Sequence, residues 1–190
     1  YNRKHIDMKK KRVYIIGIGL SAATTTAEGL DCIRQAGVLI GAQRMLDEFV
    51  EQDAERHAVY LPDDVLAAIQ SSDANTIAVL MSGDVGFYSG AAALAQRLDA
   101  YDVRFVPGIS SVSAMCARLK IAWQDAALVS MHGMDGGIVS AVRRNRRTVC
   151  LTGGNTREIA DRLRVAGLEN VLVYAGERLG YADERVSSLS

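Results

Sequence analysis

Short apolar segments alternate with helical patterns along almost the whole chain, and this alternation limits the possible folds more than any other feature. The apolar segments lack the every-second-residue pattern of a half-exposed strand, so we expect strands that are covered on both faces. The predicted strands are residues 13–17, 38–40, 58–61, 77–81, 103–106, 127–131, 148–151 and 171–174. The sequence therefore predicts an α/β fold with a mostly parallel sheet.

Helical patterns occupy the intervals between these strands. Pro62, followed by two aspartates, is typical of the first turn of a helix. Gly37 and Gly167 follow two of the patterns and predict helix ends. The predicted helices are residues 25–35, 62–70, 90–98, 111–119 and 156–165.

A break near Pro107-Gly108 indicates two domains, because the segment after it begins a new succession of strand, glycine loop, helix and strand. We predict an N-terminal α/β domain over residues 8–107 and a C-terminal α/β domain over residues 108–190. One sheet containing all the strands is the alternative. Residues 1–7 precede Met8 and are interpreted as leader or tag residues.

Composition excludes some classes of protein. Lys+Arg and Asp+Glu are equal at 22 each, whereas a nucleic-acid-binding protein normally has a basic excess. The 3 cysteines are far apart and have no metal-ligand spacing, which favours reduced thiols in a cytoplasmic protein. No apolar run approaches the roughly 20 residues that a membrane-spanning helix needs.

The first glycine loop, Gly17-x-Gly19-x-x-Ala22, lies between a predicted strand and a predicted helix. That arrangement fits the dinucleotide-binding fingerprint, which also requires an acid about 20 residues further on to hold the ribose. The second strand ends in VLIGAQRML and has no acid there. NAD binding and a simple tight turn between strand and helix both remain open.

The second loop, SGDVGFYSG, follows the strand 77–81. Gly83 and Gly86 would let a ligand approach the main chain closely. Asp84 would repel a phosphate but suits a cationic, hydroxyl-bearing ligand such as S-adenosylmethionine. The alternative is that Asp84 caps the following helix. We expect Phe87 and Tyr88 to pack behind the loop.

The third loop, VPGISS, turns at Pro107-Gly108 and enters a helix through Ser110 and Ser111, which are plausible helix caps. Their hydroxyls could also contact an adenosine. In open α/β sheets, ligands bind beyond the carboxyl ends of the strands. Three such ends carry glycine loops here, so the sequence predicts a ligand site where they meet.

Together these loops resemble the tetrapyrrole methylase family, the S-adenosylmethionine-dependent methyltransferases of cobalamin and sirohaem synthesis. The glycine loop over 17–21, SGDVGFYS and VPGISS follow the family's order and spacing over nearly the whole chain. Within the family, SMHG, TGGN and ERLGYADERV are similar to phrases of the precorrin C5-methyltransferase branch.

This resemblance implies two α/β domains with the ligand cleft between them, a homodimer, and S-adenosylmethionine as methyl donor. The methyl would go to C5 of precorrin-6B or its cobalt complex. The C-terminal domain would lack its last strand, and a C15-methyltransferase and decarboxylase could be a further domain or a partner. The alternatives are another tetrapyrrole carbon, a diphthine-synthase-like activity, or a protein that binds ligand without catalysis.

The resemblance also implies a set of site residues, and it implies no metal and no catalytic triad. Arg118, Arg157 and Arg178 would contact substrate carboxylates, since the guanidinium group suits them. The basic run VRRNRR, residues 142–147, is either a further contact or a solvated helix end. His132 is either a base or substrate contact or a structural histidine. The implied cofactor contacts are Leu20, Ser82, Gly83, Asp84, Phe87, Ser110, Ser111, Thr152, Gly176 and Glu177.

Overall fold

The computed structural model describes residues 10–131, 137–154 and 156–189, and the chain divides into two compact units, Tyr1–Ser110 and Ser111–Ser190. The first unit contains a five-stranded parallel sheet with the strand order β3-β2-β4-β1-β5. Its strands are β1 (Arg12–Gly17), β2 (Val38–Ile40), β3 (Glu55–His57), β4 (Thr76–Met81) and β5 (Asp102–Val106). Its helices are α1 (Ala27–Gln35), α2 (Gln43–Leu46), α3 (Pro62–Ser71) and α4 (Ala91–Ala95).

Strands β1, β2 and β4 are buried on both faces, as the continuous apolar runs predicted, whereas Arg104 and Phe105 of β5 are exposed. Val13 and Ile15 of β1 pack in one cluster with residues of α3 and α4. Tyr14 and Ile16, which point to the other face, pack with residues of α1 and α2. Successive side chains of a strand alternate between faces, so a strand between two helical layers must be apolar throughout.

Local sequence signals explain where the helices of the first unit begin and end. Thr26 caps α1, because its side chain accepts a hydrogen bond from the Gly29 N–H at 3.1 Å. Pro62 is in the first turn of α3, as predicted. Helix α1 ends at Gln35, shortly before Gly37, as predicted, although Ala36 ends it in an extended conformation and Gly37 is not among the glycines with positive φ. Gly37 also allows a close approach, as an added Cβ would lie 3.2 Å from the Cβ of Ala74.

The second unit contains two small sheets and a smaller core. Its elements are α5 (Ser111–Arg118), β6 (Ala127–Ser130), α6 (Ile138–Arg144), β7 (Thr148–Leu151), α7 (Thr156–Val165), β8 (Val173–Glu177) and β9 (Arg185–Leu189). Strands β6 and β7 are parallel, whereas β8 and β9 form an antiparallel pair. Gly167 ends α7 with a positive φ of 70°, as its position predicted.

Several elements differ from the prediction. The strand predicted over 58–61 lies at Glu55–His57, where β3 pairs only with β2, and the apolar Tyr60 beyond it is 73% exposed. Helix α4 has only five residues, although the pattern covered 90–98. Strand β9 was not predicted, because its sequence RVSSL has few apolar residues. The division into two α/β domains between residues 107 and 108 stays a prediction.

Candidate functional site

Three loops of the first unit meet through the backbones of Gly17, Gly83 and Gly108, which we call the glycine junction. Strands β4, β1 and β5 are neighbours, so their carboxyl ends lie side by side. An ideal Cβ at Gly108 would lie 2.2 Å from the Gly83 carbonyl oxygen and 2.3 Å from that of Gly17. A Cβ at Gly17 would lie 2.6 Å from the same Gly83 oxygen. The loops can therefore touch only because neither Gly17 nor Gly108 has a side chain.

Gly19 and Gly83 join the first two loops by a reciprocal pair of backbone hydrogen bonds. The Gly83 N–H donates to the Gly19 carbonyl at 2.7 Å, and the Gly19 N–H donates back at 3.1 Å. Both residues have positive φ, 74° and 72°, which glycine adopts without strain. Among the described residues, nothing lies within 4 Å of an added Cβ at Gly83. This side of the junction therefore has room for a ligand beside the main chain.

Asp84 joins the second loop to the third. Its Oδ1 accepts a hydrogen bond from the Gly86 N–H at 2.8 Å, and its Oδ2 accepts one from the Gly108 N–H at 3.0 Å. Helix α4 begins at Ala91 with Gly90 as its N-cap, so the alternative that Asp84 caps this helix was wrong. The carboxylate is half-buried and holds the glycine junction closed. A carboxylate has about four acceptor positions, so it can still accept bonds from a ligand.

The first glycine loop already uses the N–H groups that would bind a phosphate. Thr24 Oγ1 accepts hydrogen bonds from the Leu20 N–H at 2.8 Å and the Ser21 N–H at 2.9 Å. The Ala22 N–H donates to the carboxylate of Glu48. A dinucleotide pyrophosphate needs such donors free and no acid beside them. The fingerprint-like spacing therefore serves a tight turn, and the geometry disfavours NAD.

Phe87 and Tyr88 differ in exposure and in backbone conformation. Their rings meet edge to face, with centroids 4.9 Å apart and planes at 77°. Phe87 is half-buried, but Tyr88 is 58% exposed and has a positive φ of 47°. The expectation that both rings pack behind the loop was wrong for Tyr88, because more than half of its side chain is exposed.

The other implied cofactor contacts fall in both units. In the first unit, Ser82 is exposed and directly follows β4, and Ser110 is the last residue of the unit. In the second unit, Ser111 begins α5 and Thr152 follows β7, where its Oγ1 accepts a bond from the Gly154 N–H at 3.3 Å. His132 lies outside the described residues, so its role stays a prediction.

Gly176 and Glu177 are the last two residues of β8, and packing explains why residue 176 is a glycine. An added Cβ at Gly176 would lie 2.6 Å from the Met115 sulfur of α5. The strand and the helix therefore approach closely where the side chain is missing. Glu177 is exposed.

Two of the three arginines that were expected to bind substrate are paired within the second unit. Arg118 donates to both carboxylate oxygens of Glu184, at 2.7 and 2.8 Å. This guanidinium, followed by the Gly180 N–H, lowers the pKa of Glu184 to about 2. Arg178 donates to Asp183 at 2.6 Å, whereas Arg157 is exposed near the start of α7. Arg118 and Arg178 thus hold the segment between β8 and β9.

The basic run after Val142 lies at the end of α6 and beyond it. Arg143 donates to the Ala166 carbonyl at 2.7 Å, and Arg147 donates to the Ala122 carbonyl at 3.3 Å. A recess of about 990 Å³ lies between α6 and α7, and its lining includes Arg143 and Arg144. None of the implied cofactor contacts is among the residues that line it.

Over residues 10–131, 137–154 and 156–189, no three His, Cys, Asp or Glu side chains form a group that could hold a metal ion. No helix in those ranges is long and apolar enough to cross a membrane.

Comparison of the sequence with models of known families assigns the chain to one of them. A family model for tetrapyrrole (corrin/porphyrin) methylases matches residues 12–189. The chain therefore belongs to the tetrapyrrole methylases, as its loops had indicated.

Two curated relatives are each 30% identical to this chain. One is the cobalt-precorrin-7 C(5)-methyltransferase of Salmonella typhimurium, matched over 90% of this chain and 87% of that protein. The other is the precorrin-6Y C(5,15)-methyltransferase [decarboxylating] of a Sinorhizobium species, matched over 92% of this chain. The chain spans only 44% of the Sinorhizobium protein's length.

Solved structures show the same fold. Cobalt precorrin-4 methyltransferase superposes with a TM-score of 0.77 at 19% identity, covering 94% of this chain and 84% of that one. The precorrin-6Y methylase of Archaeoglobus fulgidus superposes with a TM-score of 0.72 at 22% identity, covering 94% and 88%. A uroporphyrin-III C-methyltransferase of Thermus thermophilus, solved with S-adenosylhomocysteine, has a TM-score of 0.70 at 21% identity and covers 94% and 82%.

Proposed function

We propose that this chain transfers a methyl group from S-adenosylmethionine to C5 of precorrin-6B or of its cobalt complex. The observation that carries the C5 position is the 30% identity over 90% of the chain to the Salmonella enzyme, whose name gives C5 of cobalt-precorrin-7, whereas precorrin-6B is proposed on the family resemblance. The Sinorhizobium relative, whose name also includes C5, points to the same position. Another tetrapyrrole carbon, a diphthine-synthase-like reaction and ligand binding without catalysis are less well supported.

The chemistry of the glycine junction supports S-adenosylmethionine as the ligand. Asp84 places a negative charge beside an open stretch of main chain at Gly83, which suits a sulfonium, an ammonium or a ribose diol. The neighbouring N–H groups of Leu20 and Ser21 are already bonded to Thr24. A cationic nucleoside therefore fits this site better than a phosphate does. We propose the ten implied cofactor contacts on the family resemblance, and the chemistry of the junction supports those that lie in the first unit.

When bound, S-adenosylmethionine supplies a methyl on a sulfonium, which a nucleophilic carbon can displace directly. The residues of this chain then have to position the reactants. Reciprocal bonds between Gly19 and Gly83, and the bond from Gly108 to Asp84, fix the loops before any ligand arrives. Fixed geometry of this kind can supply roughly 7 to 11 kcal/mol of a barrier by proximity and orientation.

We further propose a homodimeric, cytoplasmic enzyme with no nucleic-acid or membrane partner, on the family resemblance and the balance of 22 basic and 22 acidic residues. Methylation and decarboxylation at C15 would belong to another domain or to a partner, because the chain spans 44% of the relative whose name includes both positions. Light scattering at micromolar concentration would measure the number of chains in the particle.

Isothermal calorimetry with S-adenosylhomocysteine and with NAD tests the ligand assignment. We expect one S-adenosylhomocysteine per chain and no heat from NAD. Tight NAD binding without any response to S-adenosylhomocysteine would overturn the proposal. Asp73→Ala is a matched control for changes at Asp84, since Asp73 is an exposed aspartate in the loop before β4.

A further inference from the structure

Glu48 joins the first glycine loop to a segment on the other side of the central strand of the sheet. Its carboxylate accepts a hydrogen bond from the Ala22 N–H, 26 residues earlier in the chain. Ala22 lies after β1 and Glu48 lies after β2, and these two strands are on either side of β4. The bond therefore connects the segments that follow two strands which are not themselves neighbours.

Core packing fixes the backbone that carries this carboxylate. Glu48 is in a short 3-10 turn over Asp47–Phe49, which directly follows α2. Leu46 and Phe49, on either side of it, are buried in the same cluster as Ile16 of β1. Glu48 itself is half-buried. Its carboxylate thus reaches the first glycine loop from a well-packed part of the fold.

The first glycine loop is held at both ends. At one end, Gly19 exchanges two backbone hydrogen bonds with Gly83. At the other end, the Ala22 N–H is bonded to Glu48. Leu20, an implied cofactor contact, lies between these two anchors. A loop that is fixed before its ligand arrives avoids the entropy cost of being ordered on binding.

We propose that Glu48 is a positioning residue for S-adenosylmethionine, a role that rests on the proposed function. It acts through the first glycine loop, because its bond to Ala22 holds the end of the loop that the bonds to Gly83 do not reach. Loss of this bond frees that end, and the cofactor then has to order the loop as it binds. Glu48 therefore raises cofactor affinity without touching the cofactor.

The test separates this role from a direct attraction between the carboxylate and a cationic ligand. Glu48→Ala removes the whole carboxylate. Glu48→Gln keeps the reach and one acceptor oxygen but removes the charge, whereas Glu48→Asp keeps the charge and shortens the side chain by one methylene. Glu51→Ala is the matched control, since Glu51 is an exposed glutamate in the same segment.

For each variant we would measure the Tm, and the Kd for S-adenosylhomocysteine by calorimetry at a temperature where circular dichroism shows a folded protein. We expect Glu48→Ala and Glu48→Asp to raise the Kd about tenfold, because both lose a charge-assisted hydrogen bond. Glu48→Gln should stay within about threefold of wild type, since a neutral acceptor still makes a weaker bond. Glu51→Ala should match wild type. If Glu48→Ala does not fold, Glu48→Asp is a smaller change that carries the same expectation.

A wild-type Kd in a folded Glu48→Ala or Glu48→Asp protein overturns the inference, even if the Tm falls, because the bond would then serve stability alone. Equal losses of affinity in Glu48→Gln and Glu48→Ala also overturn it, because the charge would then act on the ligand directly. Both outcomes leave the proposed function intact. If the wild-type chain binds no S-adenosylhomocysteine, the proposed function fails and this inference fails with it.

Discussion

Replacing Gly108 by alanine should break the glycine junction. The new Cβ would lie 2.2 Å from the Gly83 carbonyl oxygen, 2.3 Å from the Gly17 oxygen and 2.6 Å from the Gly17 carbonyl carbon. All three atoms are backbone, and Gly17 belongs to β1, which lies between β4 and β5. No rotamer change can relieve these contacts, so a strand end or a loop must move.

The size of the effect follows from two contributions. Forcing a methyl into a packed backbone contact costs typically 1–3 kcal/mol, and about the upper end is expected where only backbone can yield. Moving the loop would also break the 3.0 Å bond from the Gly108 N–H to Asp84. A hydrogen bond to a charged group is worth about 1.5–3 kcal/mol. We expect the free energy of unfolding to fall by about 4.5–6 kcal/mol.

Urea unfolding of wild-type and variant protein measures this loss, and calorimetry with S-adenosylhomocysteine measures binding. Gly90→Ala is the matched control, since its φ is −79° and no described residue lies within 4 Å of an added Cβ. Its unfolding free energy should change by less than about 1 kcal/mol. A Gly108→Ala protein with wild-type stability and affinity would refute the claim that the three loops are in backbone contact.

Two further variants test the carboxylates. Asp84→Ala should lower the unfolding free energy by about 1.5–3 kcal/mol in urea and also weaken S-adenosylhomocysteine binding in calorimetry, because the loop at Gly108 loses its acceptor. Asp73→Ala, at an exposed position, should change neither quantity. Wild-type stability of Asp84→Ala would contradict the claim that Asp84 stabilises the fold by accepting the hydrogen bond from Gly108. Glu184 has a pKa lowered to about 2 from 4.5, so its ion pair with Arg118 stabilises the fold above pH 4.5 and loses this effect as the pH falls towards 2. The difference in unfolding free energy between wild type and Glu184→Gln should therefore shrink over this range, and a constant difference would contradict the assignment.

The sheet of the first unit was largely predictable because burial on both faces leaves a strong sequence signal. Strands β2 and β7 have the predicted bounds, and β1, β4 and β5 differ by one residue at their starts. The edge strand β3 was misplaced, since only Glu55, Arg56 and His57 pair with β2 and none of them is fully buried. Polar edge strands carry little periodic signal.

The location of the candidate site could be predicted from the sequence, but the hydrogen bonds that join its loops could not. The three glycine loops indicated where the strands end, and the structure brings Gly17, Gly83 and Gly108 together there. Which groups pair across the loops depends on long-range geometry that spacing does not encode. The bonds from Ala22 to Glu48 and from Gly108 to Asp84 each span more than twenty residues.

Some contributions could have been recognised from local signals. Thr24 lies four residues after Leu20 and three after Ser21, whose N–H groups donate to its side chain. At this spacing, threonine side chains often accept hydrogen bonds from the N–H groups of a turn. Tyr88 had no such signal, because its positive φ follows from the path of the loop between β4 and α4.

The most direct test of the account is the position of the transferred methyl. The chain would be incubated with precorrin-6B and S-adenosylmethionine carrying a ¹³C-labelled methyl, and the product examined by NMR. The account predicts one new labelled methyl, attached to C5, and no release of carbon dioxide. A label at C15 or at any other carbon, carbon dioxide released by this chain alone, or no transfer by a chain that binds S-adenosylhomocysteine would contradict it.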